Sequence, residues 1–278
     1  MASSPVTCEL GSEADEVSLV LELAYDGAGY SGFARQSDAR LRTVQSEVDR
    51  ALSTFFAHPV ETVCAGRTDA GVHALGQVVS CTLPAEDLAG RNGGKLLISL
   101  NALTPEDVAV KKAGVADAGF SARFDALRRE YRYRIVTGLS APLFLRDFAW
   151  WYRGTLDVEA MREAAKPLVG EHDFKSFCKA ASSEGKNTVR TIEEISVESD
   201  EQLGEEHLVV RIVGNAFLHS MVRTIVGTLV EVGSGHRRPE WVGEVLEERR
   251  RVAAGQNAPA CGLTFWHVDY PEGSVKSF

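Results

Sequence analysis

Gly27-Ala28-Gly29-Tyr30-Ser31-Gly32 spells Gly-x-Gly-x-x-Gly directly behind an alternating apolar segment, and an acid, Asp49, stands about 20 residues further on. Taken as a dinucleotide fingerprint, these residues would make the chain a parallel α/β oxidoreductase using a nicotinamide cofactor. That fold needs the third glycine inside the first turn of a helix whose N-terminus meets a pyrophosphate. Here Gly32 runs into Phe33-Ala34-Arg35-Gln36-Ser37-Asp38, and the first residue placed to cap a helix is Thr43. No series of parallel strands alternating with helices follows. The six residues are therefore read as a flexible turn that contacts substrate, its glycines supplying backbone conformations closed to other residues.

Working outward from this turn, the periodicities change between 2 and 3.6 residues. Leu19, Leu21, Leu23 and Tyr25 alternate within Val17–Tyr25 as in a half-buried strand, and Val44, Val48, Leu52 and Phe55 recur at helical spacing behind Thr43. A strand from Gly76 to Leu83, a helix over Leu96–Leu100 and a short strand at Val108–Ala113 complete a first half. In a second half, Glu130–Val136 alternates cleanly, and Leu156–Val169 reads as a helix with Met161, Ala164, Ala165 and Leu168 inward and Gly170 as its stop. Strands at Thr191–Glu198 and Leu208–Val213 flank an acidic loop, Ser199–His207. Ala216–Val232 is the longest expected helix, Pro239 suits the first turn of another reaching about Ala254, and Leu263–Asp269 closes the fold. These elements predict an α+β protein: a mainly antiparallel mixed sheet built from two similar α/β halves, with the catalytic cleft between them. The expected boundaries are a disordered acidic tail at 1–16, halves at 17–122 and 123–271, and a C-terminal tail at 272–278.

A chain of 278 residues with 44% hydrophobic residues can bury a large core. No run approaches the roughly 18 apolar residues of a membrane span, and the N-terminus is polar and acidic, unlike a secretory signal. The five cysteines, Cys8, Cys64, Cys81, Cys178 and Cys261, are odd in number and without a Cys-x-x-Cys pair, and are read as buried thiols of a reducing, cytoplasmic compartment. His73, His172 and His219 do not form a metal set, so metal-free and cofactor-free chemistry is expected. A net charge of −9 argues against generic nucleic-acid binding. The acids, however, concentrate at Glu9–Glu16, Glu193–Glu206 and Glu240–Glu248, whereas Arg67, Arg123, Arg128, Arg129, Arg132, Arg134 and Arg223 cluster near the motifs. A local basic cleft along Arg67, Arg123, Arg128, Arg129 and Arg132 can coexist with a negative total, because steering depends on the field at the site. Lys175, Lys179, Lys186 and Arg190 are the next candidates for such a path.

The most specific stretch is Gly66-Arg67-Thr68-Asp69-Ala70-Gly71-Val72-His73-Ala74, which crowds an acid between an arginine and glycines on a loop between a helix and a strand. It resembles the active-site motif of the tRNA pseudouridine synthase A family. The resemblance extends to Tyr25–Gly32, to Tyr131-Arg132-Tyr133, to Asn215–Gly227 and to Ala258–Leu263, in the family's order. Two departures stand out: Phe33-Ala34-Arg35-Gln36 where the family usually has Trp-Gln-Arg-Gln, and Cys261 where a more polar residue is common. The resemblance implies isomerisation of uridine to pseudouridine at positions 38, 39 and 40 of the tRNA anticodon stem-loop, by a homodimer that contacts one tRNA through both subunits. It implies Asp69 as the catalytic residue, Arg223 as its charge partner, Tyr131 as the ring packed against the target uracil, and Leu263 as the apolar residue beneath that base. Arg67 is a candidate for stabilising the extruded nucleotide. On the residues alone, Arg223 lies in an apolar helix and either needs an acceptor or reaches water along the narrow His219, Ser220 and Gly227 stripe, while Tyr131 shares one face of a strand with Tyr133 and Ile135, where a plain core role is also open. The alternatives are a non-catalytic RNA-binding or tRNA chaperone protein and the dinucleotide-binding oxidoreductase.

Overall fold

Strand pairing begins at Glu16: the computed structural model describes residues 16–278, and the expected tail residues 1–15, with Cys8, lie outside the described residues. The chain divides into two units, one running to Leu127 and joined by His267–Phe278, the other Arg128–Trp266. The C-terminal segment thus groups with the first unit, whereas sequence alone assigns it to the second half and a tail.

In the first unit, β1 (Glu16–Tyr25) leads into α1 (Val44–Phe56), β2 (Val63–Cys64), β3 (His73–Pro84), α2 (Ala85–Leu88), α3 (Gly93–Leu103) and β4 (Val108–Ala116). β1 lies between β3 and β4, antiparallel to both, with Leu19 opposite Cys81 and Val115. Leu19, Leu21 and Leu23 are fully buried, each such side chain contributing about 1.5–3 kcal/mol of transfer free energy. Thr43 caps α1 as expected, its hydroxyl accepting from Ser46 N while the Ser46 hydroxyl accepts from Thr43 N. Phe56 rather than Phe55 is the buried aromatic at the end of this helix. Asp49, the acid of the fingerprint spacing, is buried within α1, where it accepts from Thr62 N at 3.0 Å, Thr62 Oγ1 at 2.7 Å and Arg35 at 2.8 Å. Its oxygens are committed internally, which removes the remaining support for the nucleotide reading.

The second unit contains β5 (Arg128–Thr137), β6 (Trp150–Tyr152), α4 (Val158–Ala165), β7 (Gly170–Asp173), α5 (Ala180–Ser183), β8 (Val189–Gln202), β9 (Glu205–Gly214), α6 (Met221–Gly233), α7 (Trp241–Glu248) and the start of β10 (Leu263–Asp269). Its strands run in the order β5-β9-β8-β7, antiparallel throughout, with β6 parallel to β5 and β10 beside β5. The last strand, β11 (Lys276–Ser277), pairs with β4 in the first unit.

Several expected boundaries move. The acidic segment 199–207 is strand, not loop: only Leu203 and Gly204 turn, both with positive φ of 55° and 77°, as a two-residue hairpin requires. The helix expected from Ala216 starts at Met221, because Ser220 takes a left-handed conformation, φ 61° and ψ 12°. The helix expected over 156–169 is α4 followed by a 3-10 turn at Lys166–Leu168, and the one expected to reach Ala254 ends at Glu248. The thiols are corrected in part: Cys81 and Cys178 are buried, but Cys64 and Cys261 are half-exposed. No described helix is long and apolar enough to cross a membrane.

Candidate active site

Asp69 is half-exposed on the segment linking β2 to β3, and the residues around it are fastened one by one. Gln77 on β3 donates to the Gly66 carbonyl at 2.7 Å, the Thr68 hydroxyl pairs with the Tyr25 hydroxyl at 2.8 Å, and Phe33 N donates to the Thr68 carbonyl at 3.1 Å. Val72 N closes a turn onto the Asp69 carbonyl at 3.2 Å, with Gly71 at a φ of 77° that a side chain would oppose. Burial pushes the Tyr25 phenol well above its ordinary pKa, so it stays neutral and able to donate. The network is buried and hydrogen-bonded, which holds the backbone at Asp69 within a narrow range of positions.

The glycine-rich turn explains itself here. A Cβ on Gly27 would lie 2.0 Å from the Val72 carbonyl oxygen, and one on Gly32, whose φ is 103°, would lie 3.1 Å from the Thr68 oxygen and 3.4 Å from Ala70 N. Gly27 N also donates to His73 Nδ1 at 3.1 Å. The expectation of a flexible turn is therefore corrected: these glycines permit close packing against the Asp69 segment. The turn is locked from its outer side, where Tyr30 donates to Asp107 at 2.5 Å and Arg42 grips the same carboxylate at 2.7 and 3.0 Å, its guanidinium 4.3 Å from the Tyr30 ring centre. Burial opposes ionisation of Asp107, but these donors outweigh it and hold the carboxyl below its usual range. Arg67 is exposed on the same segment, and burial pushes the neighbouring Cys64 thiol up to about 11 against the pull of the Arg67 charge.

The candidates of the second unit gather at the N-terminal end of α6 and the start of β10. Arg223 Nε donates to the Ala258 carbonyl at 2.8 Å, and Ala258 N donates back to the Arg223 carbonyl at 3.0 Å. The loop before β10 lies so close to α6 that a Cβ on Gly227 would fall 1.8 Å from the Gln256 oxygen. Thr224 donates to Asn257 at 2.7 Å and Tyr133 to the Pro259 carbonyl at 2.8 Å, which fixes the path into Leu263. Tyr131 is 6% exposed and meets the rings of Phe217 at 5.0 Å and Phe265 at 4.8 Å, both edge-on. Leu263 and Phe265, two residues apart, share a face of β10. Phe217 escapes sequence reasoning because its motif reads as continuous helix, whereas the residue precedes Ser220.

The expected basic path is thinner than the arginine count suggests. Arg129 is buried and donates to the Asn215 carbonyl at 2.6 Å. Arg132 lies 3.9 Å from the Trp266 ring centre and donates to Glu130 at 2.7 Å, and Arg128 is 3.6 Å from Glu193. Arg67, Arg123 and Arg128 are the exposed members.

A sequence profile described as tRNA pseudouridine synthase matches residues 164–271. Proteins named tRNA pseudouridine synthase A are 44% identical over 248 residues in Thermosipho africanus, covering 89% of this chain and 97% of the relative. In Bacillus subtilis the match is 43% over 250 residues, 89% of this chain and 97% of the relative. In Streptomyces avermitilis it is 44% over 261 residues, 92% of this chain and 88% of the relative.

The chain belongs to the tRNA pseudouridine synthase A family.

The two departures noted in the sequence can now be placed within that family. Phe33 is fully buried behind the Asp69 segment, its ring 6.0 Å from that of Tyr25, so the first exchange falls on a packing position. Cys261 is half-exposed, and its thiol lies 3.6 Å from the Ala149 carbonyl.

Proposed function

We propose that this chain isomerises uridine to pseudouridine in tRNA, with Asp69 as the catalytic carboxylate. The observation that carries the reading is the fastening of a half-exposed Asp69 from four sides by buried groups, in a chain 44% identical to named synthases along nearly its whole length. Preorganising one carboxylate is what the reaction demands. The glycosidic bond from uracil N1 to the ribose C1′ breaks, the base turns, and its C5 bonds to the same carbon. C5 then gives up its proton and N1 gains one, so no atom enters or leaves overall. Asp69 either attacks the ribose or the base as a nucleophile or stabilises the positive charge that develops as uracil departs. No group beyond the protein is needed for either route.

In this reading Arg223 orients Asp69 as its charge partner, and the Nε bond to Ala258 keeps the guanidinium from rotating. Tyr131, steadied by Phe217 and Phe265, packs against the target uracil with Leu263 beneath it, and exposed Arg67 steadies the extruded nucleotide. Extrusion of a paired uridine costs a few kcal/mol, which these contacts offset. Further parts of the proposal are the anticodon stem-loop as target, a homodimer as the working form, and a cytoplasmic location. Incubating the protein with unmodified tRNA transcripts and mapping the product tests the reading: pseudouridine at positions 38 to 40 supports it, and unmodified transcripts after prolonged incubation refute it.

A further inference from the structure

The arginines around the candidate site are largely engaged by the protein itself, which directs attention to cations that are not. At the β7–β8 edge of the second unit, Arg190 is half-buried, and among the described residues its side chain donates only from Nη1, to the backbone carbonyls of Asn187 at 3.2 Å and Val189 at 2.6 Å. Its Nε is buried without a hydrogen-bond partner among the described residues. No described carboxylate lies within ion-pairing distance of it. A partly desolvated guanidinium without an anion is costly, and burial indeed disfavours its charged form.

Its neighbours add to the charge. The positive charges of Arg190 and Lys186 both act on the buried Cys178 thiol, and Lys179 follows Cys178 in sequence, its backbone N–H held by the His219 carbonyl at 3.1 Å. Lys179 and Lys186 are exposed. Asp173, opposite Val189 on the paired strand, is already taken: it accepts from Thr188 Oγ1 at 2.5 Å and from Lys175 N at 3.1 Å, and Arg249 stands 3.5 Å away. The strand edge itself is rigid, since Arg190 pairs with His172 across β7 and β8 and Phe174 N is bound to the Thr188 carbonyl at 3.0 Å. The arrangement is a preordered cation on a surface, flanked by flexible ones, in a chain of net charge −9.

We propose that Arg190, with Lys179 and Lys186, is a binding site for backbone phosphates of the RNA substrate. A half-buried cation with exposed ones near it suits the phosphates of a polyanion, whereas a single small anion would call for an enclosing cavity. A phosphodiester would meet the guanidinium at its outer Nη2, which makes no hydrogen bond among the described residues and, unlike Nε, is not buried, and would leave the lysines for the flanking groups. The inference rests on the reading of the chain as acting on tRNA.

Binding of unmodified tRNA is measured against salt concentration for the wild type, for Arg190→Met, which keeps the side-chain stem, and for the pair Lys179→Ala with Lys186→Ala. Removing one phosphate-binding cation should lower the logarithmic salt slope by roughly 0.7 to 0.9. For Arg190→Met an affinity loss of roughly ten-fold is expected, the lower end for removal of a hydrogen bond between charged groups. Arg190→Lys should restore the slope but only part of the affinity. Lys95→Ala, an exposed lysine on α3, serves as the reference and should leave the slope unchanged. The proposal is overturned if the lysine pair and Arg190→Met keep the wild-type slope and affinity, or if Lys95→Ala lowers the slope equally. It is also overturned if Arg190→Met loses binding of inorganic phosphate while tRNA binding is untouched. Should Arg190→Met fail to fold, the exposed lysine pair decides. Wild type that makes pseudouridine while these variants bind normally defeats this site alone. Wild type that makes none, yet binds tRNA through Arg190, defeats the functional reading and leaves this site standing.

Discussion

Gly27→Ala is the most informative small change, because one methyl group tests whether the glycine-rich turn sets the position of Asp69. The new Cβ would stand 2.0 Å from the Val72 oxygen, which must retreat by about 1.4 Å to reach the 3.4 Å of ordinary contact. Val72 cannot move alone, since its N–H closes the turn onto the Asp69 carbonyl. Overpacking of this kind costs about 1–3 kcal/mol of stability. A misplacement of about 1 Å at a catalytic group costs on the order of a hundred-fold in rate. Gly29→Ala is the matched control, because its Cβ would meet no backbone, only side-chain ends: Arg42 Nη1 at 3.3 Å and Asp107 Oδ2 at 4.0 Å. The assay is pseudouridine formation at saturating tRNA, with urea unfolding of each variant alongside. The expectation is a loss of about a hundred-fold for Gly27→Ala and near wild-type turnover for Gly29→Ala. Full activity in folded Gly27→Ala would refute the claim that the turn registers Asp69.

Arg223→Met should keep most of the α6 packing but lower turnover by roughly ten- to a hundred-fold, the range for removing a hydrogen bond to a charged group; Arg223→Lys should recover only part, because lysine lacks the planar fork. Steady-state kinetics of both variants check this. Glu130 lies between Arg132 and Arg211; burial opposes its ionisation, but the two guanidiniums outweigh it and hold the carboxyl below its ordinary 4.5. Its folded-state pKa being depressed, its contribution to stability is present above about pH 4.5 and lost as pH falls through the lower folded value. Melting temperatures measured from pH 6 to 3 should therefore decline less steeply for Glu130→Gln than for wild type. Arg129→Ala should cost about 1.5–3 kcal/mol by urea unfolding, since the buried Arg129 loses its charged hydrogen bond to the Asn215 carbonyl, whereas Arg128→Ala, exposed beside Glu193, should stay within about 0.5 kcal/mol.

The elements legible in the sequence are those whose signals are local. Thr43 announces α1 through its own capping geometry, and β10 begins and ends where alternation places it, at Leu263 and Asp269. The start of α6 is not legible, because the apolar spacing of Leu218 and Met221 continues across Ser220 while the backbone there turns left-handed. The acidic run 199–207 reads as loop because its composition is solvated, yet its residues pair across the strands on either side of Leu203 and Gly204. Alternation along β5 does contain the fate of Arg129, which falls in step with Tyr131 and Tyr133 toward the core, but charge points the other way. Asp69 is legible from its motif. The groups that hold it, Tyr25, Gln77 and the two glycines, are not, because they converge from separate elements through close approaches that no spacing rule encodes.

The central claim, that Asp69 performs the chemistry, is tested most directly by comparing Asp69→Asn with wild type on the same unmodified tRNA, with binding and melting measured in parallel. The amide is nearly isosteric but uncharged and a poor nucleophile, so the account predicts wild-type folding, near wild-type tRNA affinity and pseudouridine formation reduced by far more than about a hundred-fold. Product formed by Asp69→Asn at more than about a hundredth of the wild-type rate would contradict it.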